Sequence, residues 1–294
     1  MQGRIWFEDN PWPNGHAIIS ANMHIFLVDG EDKKSPFDAG AYLNLAIKTD
    51  NYDSENTDED RDRIEAQYKA EKAGKTISDW ESFGVWKNYS KAWIESRVAK
   101  FATSSNPYDL TSLENWTLEF EPGQKTVNED AVCDELTAFS CYILGHDAVA
   151  DHKLVFSKSS NDNACFNIDW AGAVALYYAG YNSFDYRFRA ELKDIPFLGL
   201  IGPPHKFTNK EEKLASNLAE REKNLRALAS YFLKYNQDDF VFEPRDSSDL
   251  LVLKSNKQIK SGTAGEVEPC LLPPPRFTSS GFVKLAHFAK VCPF

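Results

Sequence analysis

Residues 165–192 read CFNIDWAGAVALYYAGYNSFDYRFRAEL. Phe166, Ile168 and Trp170 alternate with Asn167 and Asp169, the period of two that a strand with one wet face imposes. Ala171-Gly172 and Ala179-Gly180-Tyr181-Asn182 punctuate two further runs, 173–178 and 183–192. In the last run Phe184, Tyr186, Phe188, Ala190 and Leu192 share one face, and Asp185, Arg187, Arg189 and Glu191 share the other. A slip of one residue would bury those charges, so burial alone sets the register. The stretch predicts an antiparallel meander of three strands with a committed core side.

Upstream the same alphabet continues. Residues 116–121 alternate strictly and Pro122-Gly123 turns them; 136–144 and 153–157 read as strands joined by Gly145-His146-Asp147-Ala148-Val149-Ala150-Asp151-His152. Nearer the start, 4–8 forms a short strand that ends at Asn10-Pro11-Trp12-Pro13-Asn14-Gly15, where two prolines forbid a central strand. Residues 16–28 follow as a long strand with Ile19, Ala21, Met23, Ile25 and Leu27 on one face. Its hairpin partner, 41–49, turns Leu43, Leu45 and Ile47 inward. Sequential strands with short turns mean an antiparallel β-sandwich or barrel of about eight strands, because parallel neighbours would need helical crossovers. The class is mainly β with α additions.

Two segments break the strand rhythm. Residues 50–62 are dense in Asp and Glu and read as a solvated loop. Asp58, Asp60 and Asp62 match the first ligands of a calcium loop, but Arg63 stands where glycine is required and Lys69 where a Glu should close it. A helix follows over 63–72. Ser78-Asp79-Trp80-Glu81 has the capping-box pattern before Trp86, Tyr89, Trp93, Ile94, Val98 and Phe101 at helical spacing, so 53–107 is expected to be a mostly helical insertion. Thr208-Asn209-Lys210-Glu211 opens a second amphipathic helix over 209–235, with Leu214, Leu218, Leu225, Leu228, Phe232 and Leu233 close to one stripe. At 1.5 Å per residue it would run roughly 40 Å, along the sheet or against a second subunit as a homodimer. Residues 240–242 and 250–253 each add a short strand. The domain is expected to end near 253, with 254–294 a proline-rich linker and a short amphipathic tail.

The 294 residues are 42% hydrophobic and 13% aromatic, ample for a core. A formal charge of −11 disfavours a nucleic-acid partner and favours a protein with a basic surface. The start MQGRIWFEDN lacks a basic region before an apolar run, and no stretch of apolar residues is long enough to span a bilayer. Neither secretion nor membrane spanning is expected, and Cys133, Cys141, Cys165, Cys270 and Cys292, an odd number without close pairs, fit a cytoplasmic protein with neither a disulfide framework nor a zinc ribbon.

Chemistry is sparsely written. No glycine-rich phosphate loop, GxSxG, HExxH or CxxC is present, and no cofactor is expected. His146, Asp147, Asp151 and His152 have the composition of a metal or acid/base site displayed on a strand connection; the plain alternative is a polar turn. Glu8, Asp9 and His16 beside Trp12 could line a pocket as acid, base and stacking platform; the plain alternative is a proline corner with Trp12 covering the sheet. Two functions stay open: a cytoplasmic protein-binding module, for instance an immunity or antitoxin-like protein that masks a basic effector, and a hydrolase or lyase built on those carboxylates and histidines.

Overall fold

A computed structural model describes residues 2–254 except 32–36, 53, 55–57, 75–77, 87–90, 112–114, 129–136, 163, 205–216 and 246. They belong to one compact unit, Met1–Lys257. The chain is mostly β: β1 (Gly3–Phe7), β2 (His16–Val28), β3 (Gly40–Thr49), β4 (Trp93–Ser96), β5 (Lys100–Ala102), β6 (Tyr108–Asp109), β7 (Thr117–Phe120), β8 (Phe139–Tyr142), β9 (Ala148–Lys158), β10 (Cys165–Ala175), β11 (Tyr186–Ile201), β12 (Leu233–Lys234), β13 (Phe240–Glu243) and β14 (Leu250–Leu253). Among the described residues the α-helices are α1 (Asp58–Lys72), α2 (Phe83–Trp86) and α3 (Leu218–Phe232).

Among the described residues twelve strands form one sheet along the path β7-β9-β10-β11-β1-β2-β3-β4-β8, with β5 on β3 and the β13-β14 hairpin on β11. Neighbours are antiparallel except where β11 runs beyond the start of β1 and meets β2 in parallel, Phe197 beside Met23. The expected sandwich or barrel of about eight strands is therefore corrected to one large sheet. Strands of 11 to 16 residues are long enough for accumulated twist to bend the sheet over its own core. Its terminal strands then approach through side chains, Phe120 edge-on to Phe139 at 5.5 Å. Among the described residues no ladder joins β7 to β8, and the sheet is not closed into a barrel.

The alternating face expected over 183–192 holds from Tyr186 to Leu192, whereas Phe184, before the strand, packs instead with Ala148, Ala150, Ala173 and Ala175 on the opposite face. Phe188, Ala190 and Leu192 are buried, and Arg189 lies outside over the Trp6 ring. The expected three-strand meander is two strands: β10 passes straight through Ala171-Gly172 and β11 straight through Ile195-Pro196. Glycine there accommodates a bulge in the neighbouring strand rather than a turn. In β2 the inward face also changes. A register shift between Ile18 and Ser20 leaves Ile19 52% exposed while Ile18 is fully buried. The extra residue switches the inward parity from even to odd.

The helical insertion holds only in part. Residues 58–62, read as loop, begin α1, so the calcium-loop geometry does not arise. Ser78 and Glu81 do make the reciprocal bonds of a capping box, Ser78 Oγ accepting the Glu81 N–H at 3.3 Å and Glu81 Oε2 the Ser78 N–H at 3.4 Å, yet they close a turn. The helix expected up to 102 gives way to β4 and β5: Ile47 pairs with Ile94, which is fully buried. Over so few residues a helical stripe and a strand alternation share the same apolar positions, and pairing with β3 decided between them. Of the helix expected over 209–235, only Leu218–Phe232 is shown helical, capped by the Asn217 side chain, and the chain is already extended at Leu233. Residues 209–216, with the expected capping box, lie outside the described residues, as do 255–294. Leu225, Ala229 and Phe232 bury one face of α3, and Arg221 forks onto the buried Asp249 carboxylate beside β14.

Candidate functional site

The polar centre of the sheet arises from one inserted residue. Lys153 pairs with Ala171 and Ala150 with Ala173, so Asp151 and His152 together oppose Gly172. Asp151 adopts a left-handed φ of 53° to make this bulge. Val149 faces the core before it, and His152, Leu154 and Phe156 face the core after it. Without the extra residue the alternation would have turned Asp151 inward and His152 out. Gly172 has no room for a side chain: a Cβ there would lie 2.4 Å from the Phe188 ring and 2.9 Å from His152 Nδ1.

Inside, His152 is 1% exposed. Its ring meets Phe139 at 4.5 Å, Trp170 at 5.8 Å and Phe188 at 6.0 Å. The Trp170 indole N–H donates to Nδ1 at 3.2 Å, which leaves the imidazole proton on Nε2. Burial holds His152 down to about pKa 3; the Asp151 charge and the Val149 carbonyl act the other way and lose. Facing Nε2 at 4.0 Å is Oε2 of Glu121, which follows β7 in a left-handed conformation, φ 51°. Its Oε1 accepts the Ala138 N–H at 2.9 Å, tying the β7 end of the sheet to the β8 end. Burial raises the Glu121 pKa, opposed by that N–H. Outside, Asp151 accepts the Gly123 N–H and pairs with Arg187, both at 2.6 Å, which hold its carboxyl below the usual range.

The four candidate metal ligands are thus distributed rather than gathered. His146 is exposed and sits edge-on to Tyr142. Asp147 is buried in the 143–147 turn, where Oδ2 accepts the Leu144 N–H at 2.8 Å. Burial lifts its carboxyl to about 6 against the turn N–H groups. Asp151 points outward and His152 inward, both within β9 and not in a connection as the sequence suggested. Among the described residues no group of three or more His, Cys, Asp or Glu is placed to hold an ion.

The second candidate set forms an aromatic corner. Trp12 is 4% exposed against Phe83 at 5.0 Å and Trp86 at 5.8 Å. His16, equally buried, lies 4.6 Å from the Tyr52 ring with the Asn10 side-chain amide 3.2 Å from Nε2, and burial, with Arg4 behind it, lowers its pKa to about 3. Glu8 and Asp9 are exposed; the Glu8 carbonyl accepts the Trp80 indole N–H. The structure brings Trp12 to His16 but leaves both carboxylates outside.

Sequence reasoning missed two features. Glu121 read as the last outward residue of an alternating strand, and nothing local signals that its carboxylate turns toward His152. The β10-β11 connection read only as a turn. There Tyr178 is 67% and Tyr181 56% exposed, on a single helical turn over Tyr177–Ala179 closed by Gly180 at φ 87°. The Tyr178 ring lies on Gly145, where a Cβ would come within 2.6 Å of it. Beyond Gly145 the surface continues as His146, Tyr142 and Trp93, the last two stacked at 6.3 Å. On this outer face Ala148, Ala150, Ala173 and Ala175 form a small apolar cluster with Val127 and Phe184, and Tyr177 of the turn packs against it. Comparisons of the chain with models of protein families, with curated proteins and with solved structures found no match.

Proposed function

We propose that this protein is a binding module that receives a basic protein partner on the tyrosine-bearing end of its sheet. The observation that carries this is the exposure of Tyr178 and Tyr181 on a short, backbone-bonded turn. Tyrosine offers a large amphipathic surface at little loss of side-chain entropy, and such residues concentrate binding energy. Two features select for cations: the ring faces attract Lys and Arg, and the formal charge of −11 steers a basic surface toward the module. A cytoplasmic immunity or antitoxin-like protein that masks a basic effector is the form this reading takes. No helix among the described residues is long and apolar enough to cross a membrane.

The test compares the full chain with its Tyr178→Ala/Tyr181→Ala variant in capture from the native cell at low salt. The reading expects one stoichiometric basic partner, held at least tenfold more weakly by the variant (about 1.4 kcal/mol) and released as salt rises. Unchanged thermal unfolding of the variant would show that only the surface was altered. Capture of no stoichiometric partner, or equal capture by both proteins, refutes it.

A further inference from the structure

Two buried polar atoms in the bent sheet face each other without a hydrogen-bond partner among the described residues: His152 Nε2 and Glu121 Oε2. The His152 side chain is 0% exposed and that of Glu121 22%, so the pair sits just inside the surface, with Glu121 as its outer member. Buried polar atoms left unmatched are uncommon and costly, and this pair is built with care. A bulge turns His152 inward, Gly172 makes room for it, and the Trp170 N–H assigns its proton to Nε2. The Ala138 N–H fixes Oε1 of Glu121, which aims Oε2 at the imidazole. Glu121 and Asp151 both hold left-handed backbone conformations around it, a strain that persists where surrounding structure demands it.

The separation of 4.0 Å narrows the chemistry. It exceeds the limit of about 3.2 Å for a direct N–H···O bond, and a chain of two bridging atoms would need a wider gap. One oxygen about 2.9 Å from each atom fits, subtending roughly 90° between them. That oxygen must accept from Nε2–H and donate to Oε2, which only a hydroxyl does. The Nε2–H donor faces a cation unfavourably and the Glu121 carboxylate repels an anion, and the other walls, Phe139, Phe188 and Trp170, are aromatic. We propose that Glu121 and His152 form a binding site for a single hydroxyl group, supplied by a water molecule or by a small alcohol, at the seam where the two ends of the sheet meet. The site is independent of the tyrosine surface.

The test uses the full chain with water and methanol as probes. In crystals grown without alcohol, a water source gives one ordered oxygen within hydrogen-bond reach of both Nε2 and Oε2, unchanged after a methanol soak. An alcohol source gives that oxygen with a methyl group attached only after the soak. In solution, long-range proton–nitrogen correlation spectra of the labelled chain should show His152 protonated on Nε2, with a cross-peak from that proton to the water or methanol resonance. A proton on Nδ1, direct contact between Nε2 and Oε2, or the absence of the oxygen under both conditions overturns the proposal.

Discussion

Acidification from pH 6 to pH 4 should destabilise this protein, because its buried histidines resist the protons that the unfolded chain takes up. Inside the fold His16 and His152 bind a proton only near pH 3, whereas the ordinary histidine value is 6.5. Because the folded pKa is the lower one, the unfolded chain binds more protons below pH 6.5 and stability falls as pH falls. Each histidine contributes a slope of about 1.4 kcal/mol per pH unit, about 2.7 for the two. Asp147 opposes them. Its folded value of about 6 against an ordinary 3.8 means the folded state binds the extra proton in that window, returning about 1.4 kcal/mol per unit. For these three groups together the loss is about 1.4 kcal/mol per unit, or roughly 3 kcal/mol between pH 6 and 4, where a typical domain's whole stability is about 5–15 kcal/mol. His24, lowered to about 4 by burial, deepens the loss, and Glu121, raised, reduces it. Urea titrations followed by the fluorescence of the seven tryptophans, at matched ionic strength from pH 7 to 4, measure the slope. Asp147→Asn should steepen it by about 1.4 kcal/mol per unit by removing the opposing group. Stability that stays level or rises between pH 6 and 4, or an Asp147→Asn slope no steeper than the parent's, would refute the reasoning.

Three further outcomes follow from packing. Gly172→Ala would drive a methyl into the Phe188 ring and His152 and should cost about 2 kcal/mol in denaturant unfolding. Arg221→Met leaves Asp249 buried without its guanidinium partner and should lose about 3 kcal/mol, whereas the double variant with Asp249→Leu should recover most of it in the same assay. The bulge in β2 predicts opposite fates for neighbours: Ile19→Lys should shift stability by no more than about 0.5 kcal/mol, and Ile18→Lys should abolish cooperative thermal unfolding.

The strands were legible wherever alternation ran long enough. The face of β11, the β2-β3 hairpin and the β13-β14 strands could be read from residue order because each has one wet side, and a period of two then follows from burial. Legibility failed at the bulges. Ile19 and the pair Asp151-His152 look locally like any other strand residues, and only pairing with Thr49 and Lys48 on β3, or with Ala171 and Ala173 on β10, shows where one residue is extra. It failed again at 93–102, where an aromatic stripe satisfied helix and strand templates alike.

The residues in order were thus sufficient to determine a mainly β chain, its acidic charge, and which side of its longest strands is dry, since these depend on composition and near-neighbour spacing. Tertiary structure alone decided that twelve strands share one bent sheet, that Glu121 meets His152 across 31 positions of chain, and that two turn tyrosines stay in water while Trp12 does not. Those outcomes depend on which strand edges find each other, and a local pattern carries no record of its distant partner.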